Sequence, residues 1–584
     1  MATPINHAAI NRVIRRNLLQ FKKTGVMTVR PGYQISGGWI TDKPAIVATV
    51  DRKLSGLPAA QRLPAEVDDV PVDVREATGM QRLRHTDPAA HALVVAHGRS
   101  EYNEPDWSYE RRVSDGALVP KTAKKPLNRH DTTAPKSEIT YEAPAGVPLV
   151  PVTRRMTITA SASPDDGYPV LTDFLAGTRS RLTIAMYDFT SGDLLDAVSK
   201  AIKGKSFEMV LDHPPVNQTA NQTDDETRDK LLAADPAGAK INWALTRNDP
   251  VVDEWIYPSA YHIKVAVRDG GSFWLSSGNF NVSNQPNLAA NEPKRGSLAK
   301  ADRDWHLVVE DEGLAQLFEA YIRNDFTVAT PYQTAGDAAV HAKIRAAEAK
   351  LAAAQAKSTQ IRNPPGQRDS TRFAHEVFAN VPVTVQPLLT PDPGQHMPLY
   401  VEKVLALIDS AQRSVYMQTQ YVHPSDKDVD KNFTALVEAL ANARKKGLDV
   451  RLITSQYENT PQWVEKMKEY DLDQVLHIQE RVHNKGIVVD SKTVMVSSQN
   501  WSGDGTLRNR DAGLIIEHAG IAQYFEKIFI DDWTKRSGIK LTDRAYKAPA
   551  RAGAAATTPK AAKQAPKKKA AKKTAKKVAK KKRA

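Results

Sequence analysis

The chain has 584 residues, 41% of them hydrophobic, enough for about three or four globular domains. It contains no cysteine, which excludes disulfides, thiolate metal sites and a cysteine nucleophile, and no apolar run of about 18 residues, which excludes a transmembrane helix. The net charge of +14 is a property of the end of the chain: 15 Lys or Arg and no acidic residue lie from Tyr546 onward, so 66 basic residues face 67 acidic ones in the remainder.

The first 23 residues carry Arg15, Arg16, Lys22 and Lys23 without the continuous apolar stretch of a secretory signal, and read as a cytoplasmic start. Ile5, Ile10, Val13, Ile14, Leu18 and Phe21 recur at helical spacing, predicting a helix within 5–22. Short β-type runs follow at Ala45–Val50 and Val70–Val74, with turn signals at Pro31-Gly32 and Gly37-Gly38. Residues 1–110 are therefore expected to form a small α+β domain, and the polar, Pro- and Lys-rich stretch 111–150 a linker.

Two related halves come next. In 151–335, Arg181–Phe189 reads as a strand. Ser191–Lys203 reads as a helix capped by Ser191, with Leu194, Leu195, Val198 and Ile202 on one face, and Phe207–Leu211 as a second strand. In 373–545, Ser414–Val422, Phe433–Lys446 and Leu448–Thr454 repeat the strand–helix–strand order. The repetition predicts a duplicated α/β domain. Between the halves, 336–372 is expected to be a helical connector, with the Ala-rich stretch Asp337–Lys357 helical and Pro364-Pro365-Gly366 ending it. The Lys-, Ala- and Pro-rich tail, 546–584, cannot bury a core and is expected to be disordered in isolation.

Each half then reaches the same pattern. His262, Lys264 and Asp269 precede Ser276-Ser277-Gly278-Asn279; His483, Lys485 and Asp490 precede Ser497-Ser498-Gln499-Asn500. In both copies Lys follows His by two, Asp follows Lys by five, and Ser-Ser-x-Asn begins seven after Asp. On a strand, positions i and i+2 share a face, so each His can project with its Lys. The Asp and a turn would lead into a second strand ending in Ser and Asn. Two such hairpins face to face would bring two imidazoles, two ammoniums and two amides to one anion. A phosphodiester suits that set: one His attacks phosphorus, the other protonates the leaving oxygen, and Lys and Asn stabilise the equatorial oxygens. A shared phosphorus requires imidazoles about 4–8 Å apart. No clustered carboxylates suggest a metal.

On these motifs the chain resembles the phospholipase D superfamily, in its form with two motifs on one chain. The resemblance covers roughly 150–545 and implies a pseudo-twofold pair of α/β domains with the motifs meeting at their interface. It implies a phosphohistidine intermediate and no metal or other cofactor. His262 and His483 would be the nucleophile and acid, with His262 attacking. Lys264 and Lys485, with Asp269 and Asp490 completing the motifs, would make up the catalytic set, although both Asp also read as hairpin anchors. Asn279, Asn500, Ser277 and Ser498 would contact substrate. A carboxylate downstream of each motif, Asp304 and Asp511, would orient a catalytic His. The superfamily commonly has Gly where Ser276 and Ser497 stand. His213 and His423, each before a Pro, read as loop or core residues. Trp501 reads as either the substrate mouth or core.

The expected substrate is a phosphodiester, of a phospholipid first and of DNA or RNA second, hydrolysed or transferred. A non-catalytic protein binding anionic ligands is the third reading, against which the intact His and Lys of both motifs weigh. The tail resembles the Lys-Ala-Pro repeats of linker-histone-type nucleoid proteins. It would attach to DNA or to an anionic membrane surface, placing a cytoplasmic protein at the nucleoid or the inner membrane.

Overall fold

A computed structural model describes residues 6–23, 25–36, 39–54, 56–96, 109–111, 118–120, 141–212, 224–235, 237–247, 253–255, 260–288, 301–333, 338–356, 373–392, 397–457 and 460–538. His213, Gly37-Gly38, the Pro364-Pro365-Gly366 stop, most of 111–150 and the whole of 546–584 lie outside the described residues.

The N-terminal helix forms as His7–Arg16, capped by Asn6, whose Oδ1 accepts the Ala9 N–H at 2.9 Å. It covers a six-stranded sheet of β1 (Val26–Ser36), β2 (Trp39–Val50), β3 (Glu66–Val67), β4 (Val70–Glu76), β5 (Tyr109–Arg111) and β6 (Leu118–Pro120), in the order β3-β4-β2-β1-β5-β6. Pro31-Gly32 is not the expected turn. Both residues lie inside β1, opposite Ile46 and Ala45 of β2. Among the described residues β5 pairs only Thr28 and Val29, so no described strand meets the edge of β1 at Pro31, a position where proline is tolerated.

The remaining strands form one long sheet with a palindromic plan. The first half supplies β7 (Val152–Ser163), β8 (Arg181–Met186), β9 (Ser206–Leu211) and β10 (Ala239–Trp243). A detached hairpin, β11 (Leu245–Arg247) and β12 (Asp253–Trp255), follows, then β13 (Lys264–Arg268), β14 (Ser272–Ser276) and β15 (Asp304–Glu310). The second half supplies β16 (Glu376–Thr390), β17 (Ser414–Thr419), β18 (Asp449–Ser455), β19 (Leu476–Gln479), β20 (Lys485–Val489), β21 (Thr493–Ser497) and β22 (Asp511–Glu517), with β23 (Ser537–Gly538) added at the end. The order is β10-β9-β8-β13-β14-β15-β7, then β16-β22-β21-β20-β17-β18-β19-β23. The halves read outward from the β7–β16 seam with the same strands in the same places. This is the duplicated α/β fold expected from the repeat.

Both strand–helix–strand units form, with parallel pairs β8–β9 and β17–β18. Ser191 caps its helix, Gly192–Ile202, accepting the Leu194 N–H at 3.3 Å. The sheet turns back on itself at the seam, so that β13–β15 lie against β20–β22. Trp305 of β15 fills this contact and requires a glycine opposite it: a Cβ on Gly486 would stand 2.3 Å from the indole. One apolar cluster spans both halves, including Ile158, Val265 and Trp305 from the first and Val488, Leu514 and Phe525 from the second.

The Ala-rich helix Ala338–Ala356 packs on the helices Gly79–Thr86 and Pro88–Ala96 through Ala347 and Leu351. The N-terminal sheet also grips the second half. Glu465, on the helix Thr460–Lys468, takes Arg30 at 2.7 Å and Arg75, while Lys468 reaches Asp42 at 2.6 Å. No helix among the described residues is long and apolar enough to cross a membrane.

Candidate active site

The two motifs converge where the halves meet. The His262 and His483 rings are 6.4 Å apart between centroids, tilted by 47°. In neither motif does the strand begin at His. It begins at Lys264 or Lys485, and the residues before it pair with the other half's backbone. Tyr261 bridges to Arg510 and Val482 to Arg303. The Arg510 N–H donates to Ala260 O at 2.8 Å, and the His483 N–H to Arg303 O at 3.0 Å.

The orienting carboxylates cross over in the same way. His262 Nδ1 meets Asp511 of the second half at 2.8 Å. His483 Nδ1 meets Asp304 of the first half at 3.1 Å. Each His therefore takes its carboxylate from the opposite copy. Both carboxylates are fully buried. Ser277 and Ser498, expected at the substrate, are instead attached to them: Ser277 Oγ donates to Asp304 at 2.8 Å and Ser498 Oγ to Asp511 at 2.5 Å. The same hydroxyls accept the Trp305 and Ala512 N–H groups at 3.0 Å. Their role is to hold the carboxylates.

Lys264 and Lys485 are buried beside the imidazoles. Lys264 Nζ donates to His262 O and lies 5.0 Å from the centre of the Tyr187 ring. Lys485 Nζ is 3.0 Å from His483 Nδ1 and 3.2 Å from Nε2, and reaches across to Ser277 O at 3.4 Å. Asn279 and Asn500 are each 5% exposed, and each has a buried Oδ1 without a hydrogen-bond partner.

The motif Asp residues do not join this cluster. Asp269 and Asp490 sit at the hairpin turns with φ of 54° each, followed by Gly270 and Ser491, also at positive φ. That conformation matches the right-handed twist of the flanking strands. Asp269 accepts the N–H groups of Arg179, Ser180 and Arg181, and Asp490 those of Gln412, Arg413 and Ser414. Partial burial opposes ionisation, but these hydrogen bonds hold both carboxyls below the usual range. Both are anchors of the hairpin, tying its turn to the start of β8 or β17.

Burial sets the electrostatics of the centre. Desolvation, reinforced by Lys264 and Lys485, pushes both imidazoles well below their ordinary pKa of 6.5. Desolvation also lowers Lys264 well below the usual ammonium range, against the pull of Asp511. It raises Asp304, and it raises Asp511 to about 7.

Beneath the dyads lies a pair of charge clamps that sequence reasoning missed. Arg303 does not pair with its neighbour Asp304. It crosses to Asp532 at 2.9 Å and also holds Asp165. Arg510 crosses the other way to Asp325 at 2.9 Å. All of these side chains are at most 4% exposed. The signal was present: in both copies an Arg-Asp pair is followed by Asp 21 residues after its own Asp.

A family described as "Cardiolipin synthase, PLD-like domain" matches residues 404–533, the stretch that contains the second motif and its carboxylate. Residues 404–533 belong to the phospholipase D superfamily. Within it, the phospholipase D of Rickettsia conorii is 29% identical over 136 residues, 22% of this chain and 60% of that protein. That of Rickettsia felis is 28% identical over the same shares. The chain thus matches less than two thirds of the length of these relatives. Among solved structures, the phosphatidylserine synthase of Haemophilus influenzae aligns over 67% of this chain and 91% of its own, at 14% identity and a TM-score of 0.44. The superfamily member NUC of Salmonella typhimurium aligns over 28% of this chain and 99% of its own, at 23% identity and a TM-score of 0.23.

His423 is a core residue, stacked between Tyr421 and Trp463. Trp501 is buried against Phe433 and belongs to the core of the second half.

Proposed function

We infer that this superfamily member is a phosphodiesterase that works through a phosphohistidine on His262. The reading rests on one observation: two imidazoles 6.4 Å apart, each held at Nδ1 by a buried carboxylate of the opposite half. With Nδ1–H donated to Asp511, the Nε2 lone pair of His262 is free to attack phosphorus. The bond to the leaving oxygen breaks as His483 gives that oxygen its proton. Water then attacks the phosphohistidine and passes a proton to His483, the P–N bond breaks, and the enzyme is restored. An alcohol in place of water gives transfer. Lys264, Lys485, Asn279 and Asn500 would hold the phosphoryl oxygens. The anionic diester supplies the negative charge that the two lysines lack in the free site, which raises the pKa of His483 and allows it to carry the leaving-group proton.

A phospholipid is the first reading of the substrate, since both curated relatives carry the name phospholipase D. A nucleic acid is the second; the 15 cations of the tail suit DNA and an anionic membrane surface alike. Acid quench after brief mixing with labelled diester should leave phosphate on His262, with EDTA making no difference. Label on His483 alone would reverse the roles, and label on neither would end the covalent reading.

A further inference from the structure

Beside His483, at the carboxyl ends of β17 and β18, is a pocket that the chemistry above does not use. Tyr421, Val422 and His423 form one wall, Thr454, Ser455 and Tyr457 another, and Thr460, Trp463, Val464 and Met467 the third, with Leu476 at the base. It is joined to the catalytic centre through the backbone. The His423 N–H donates to O of Trp501, the residue after Asn500, at 2.8 Å. The N–H of Val482, the residue before His483, donates to Ser455 Oγ at 3.2 Å. Carboxyl ends of parallel strands are where open α/β sheets place ligands.

Three features define what would fit. First, Tyr421, His423 and Trp463 form a ladder of near-parallel rings, with centroids 4.1 and 4.0 Å apart and tilts of 15° and 16°. Second, among the described residues none of those lining the pocket is a carboxylate, Lys or Arg. Burial alone drives His423 well below its ordinary pKa, so its imidazole is neutral. Third, His423 is 5% exposed and its Nδ1 is buried with no hydrogen-bond partner. A buried polar atom without a partner is costly, and a ligand that supplies one removes the cost.

The helix forming the third wall is fixed from behind. Thr460, Trp463, Val464 and Met467 recur at helical spacing on the pocket side, while Glu465 and Lys468 point to the N-terminal sheet and pair with Arg30, Arg75 and Asp42. The N-terminal sheet thus holds the pocket wall in register with His483.

We propose that this pocket is a specificity subsite for an uncharged, flat ring carried by the phosphodiester, lying edge to edge with His423, hydrogen-bonded to it, and flanked by the Tyr421 and Trp463 rings. The proposal rests on the phosphodiesterase reading for its substrate. A nucleotide carries such a ring and a glycerophospholipid does not, so the measurement also bears on substrate class.

The test uses the full chain and four methyl phosphate diesters, of thymidine, phenol, glycerol and choline, followed by phosphorus NMR. The wild type should favour the thymidine diester over the glycerol and choline diesters by about tenfold or more in kcat/KM. Trp463→Leu should collapse that ratio to within about twofold, and Trp463→Phe should keep most of it. His423→Leu should erase any preference for thymidine over phenol. A wild-type ratio near one, or a ratio that survives Trp463→Leu, overturns the proposal. If no diester is cleaved, the reaction reading fails separately. Thymidine monophosphate should then still bind the full chain carrying His262→Asn, quenching fluorescence that Trp463→Phe removes. Absence of that binding overturns the subsite itself.

Discussion

Replacing Asp511 by Asn should separate activity from stability, driving them in opposite directions. The carboxylate receives Nδ1–H of His262 at 2.8 Å and the Ser498 hydroxyl at 2.5 Å, in a site closed to solvent. A hydrogen bond to a charged group is worth about 1.5–3 kcal/mol, which is roughly 10- to 150-fold in rate if the charge is felt mainly in the transition state. An Asn amide that turns its N–H toward Nδ1 would also move the ring proton to Nε2 and remove the attacking lone pair. Wrong-tautomer losses of this kind reach about 10⁴. The expected fall in kcat/KM is therefore about 10² to 10⁴. Stability should move the other way. Burial raises the Asp511 carboxyl to about 7, so the folded state holds a proton that the unfolded state releases near the ordinary value of 3.8. Stability is lost as pH rises between those values, by about 4 kcal/mol at the outside. Asn avoids that loss, so the variant should match or exceed the wild type in denaturant midpoint, with a larger advantage at pH 8 than at pH 5. Turnover of a small soluble diester and urea unfolding at both pH values measure the two effects. A variant that loses activity and stability together would refute the orienting role and make Asp511 a structural residue.

Three other outcomes follow from the same geometry. Arg510→Met should cost about 3–5 kcal/mol in chemical denaturation because it strands Asp325 in the interior, and adding Asp325→Leu should restore most of the loss. Because burial and two lysines depress both imidazoles while burial raises Asp511 to about 7, kcat/KM should be bell-shaped with its maximum below about pH 7, falling on the acid side as Asp511 takes a proton and on the alkaline side as the acid His loses one; a plateau above pH 7.5 would contradict the depressed imidazoles. Truncation after residue 545 should leave small-diester turnover unchanged while flattening the salt dependence of DNA or anionic-vesicle binding, and unchanged salt slopes would place the anion site in the body.

Much of the layout of the candidate site was legible because the motif is short and local. A His, a Lys two positions on and a turn Asp five after that are fixed by one hairpin, and finding the pattern twice implied the duplication. What was not legible depends on how the halves face each other. Sequence order does not show which carboxylate belongs to which His, and the structure crosses them: His262 with Asp511, His483 with Asp304. Ser277 and Ser498 were placed at the substrate by adjacency to Asn279 and Asn500, yet the strand ends turn their hydroxyls to the buried carboxylates. Asp325 and Asp532 lie on or beyond a helix, among other acidic residues, and only the equal spacing in the two copies sets them apart. Pro31-Gly32 was misread because turn composition says nothing about whether the neighbouring strand reaches that far.

The seam between β7 and β16 joins residues such as Val152 and Val385, more than two hundred positions apart in the chain. Contacts of that range are among the slowest to form, since the intervening loop entropy is lost before they stabilise anything. Neither half supplies the carboxylate that meets its own histidine, so a chain with only one half folded leaves both imidazoles without these partners. On the proposed reading, activity during synthesis stays latent until the last strands have emerged and docked: Asp511 is on β22, and Asp532 lies beyond it. Loosening the seam would therefore separate both histidines from their carboxylates at once.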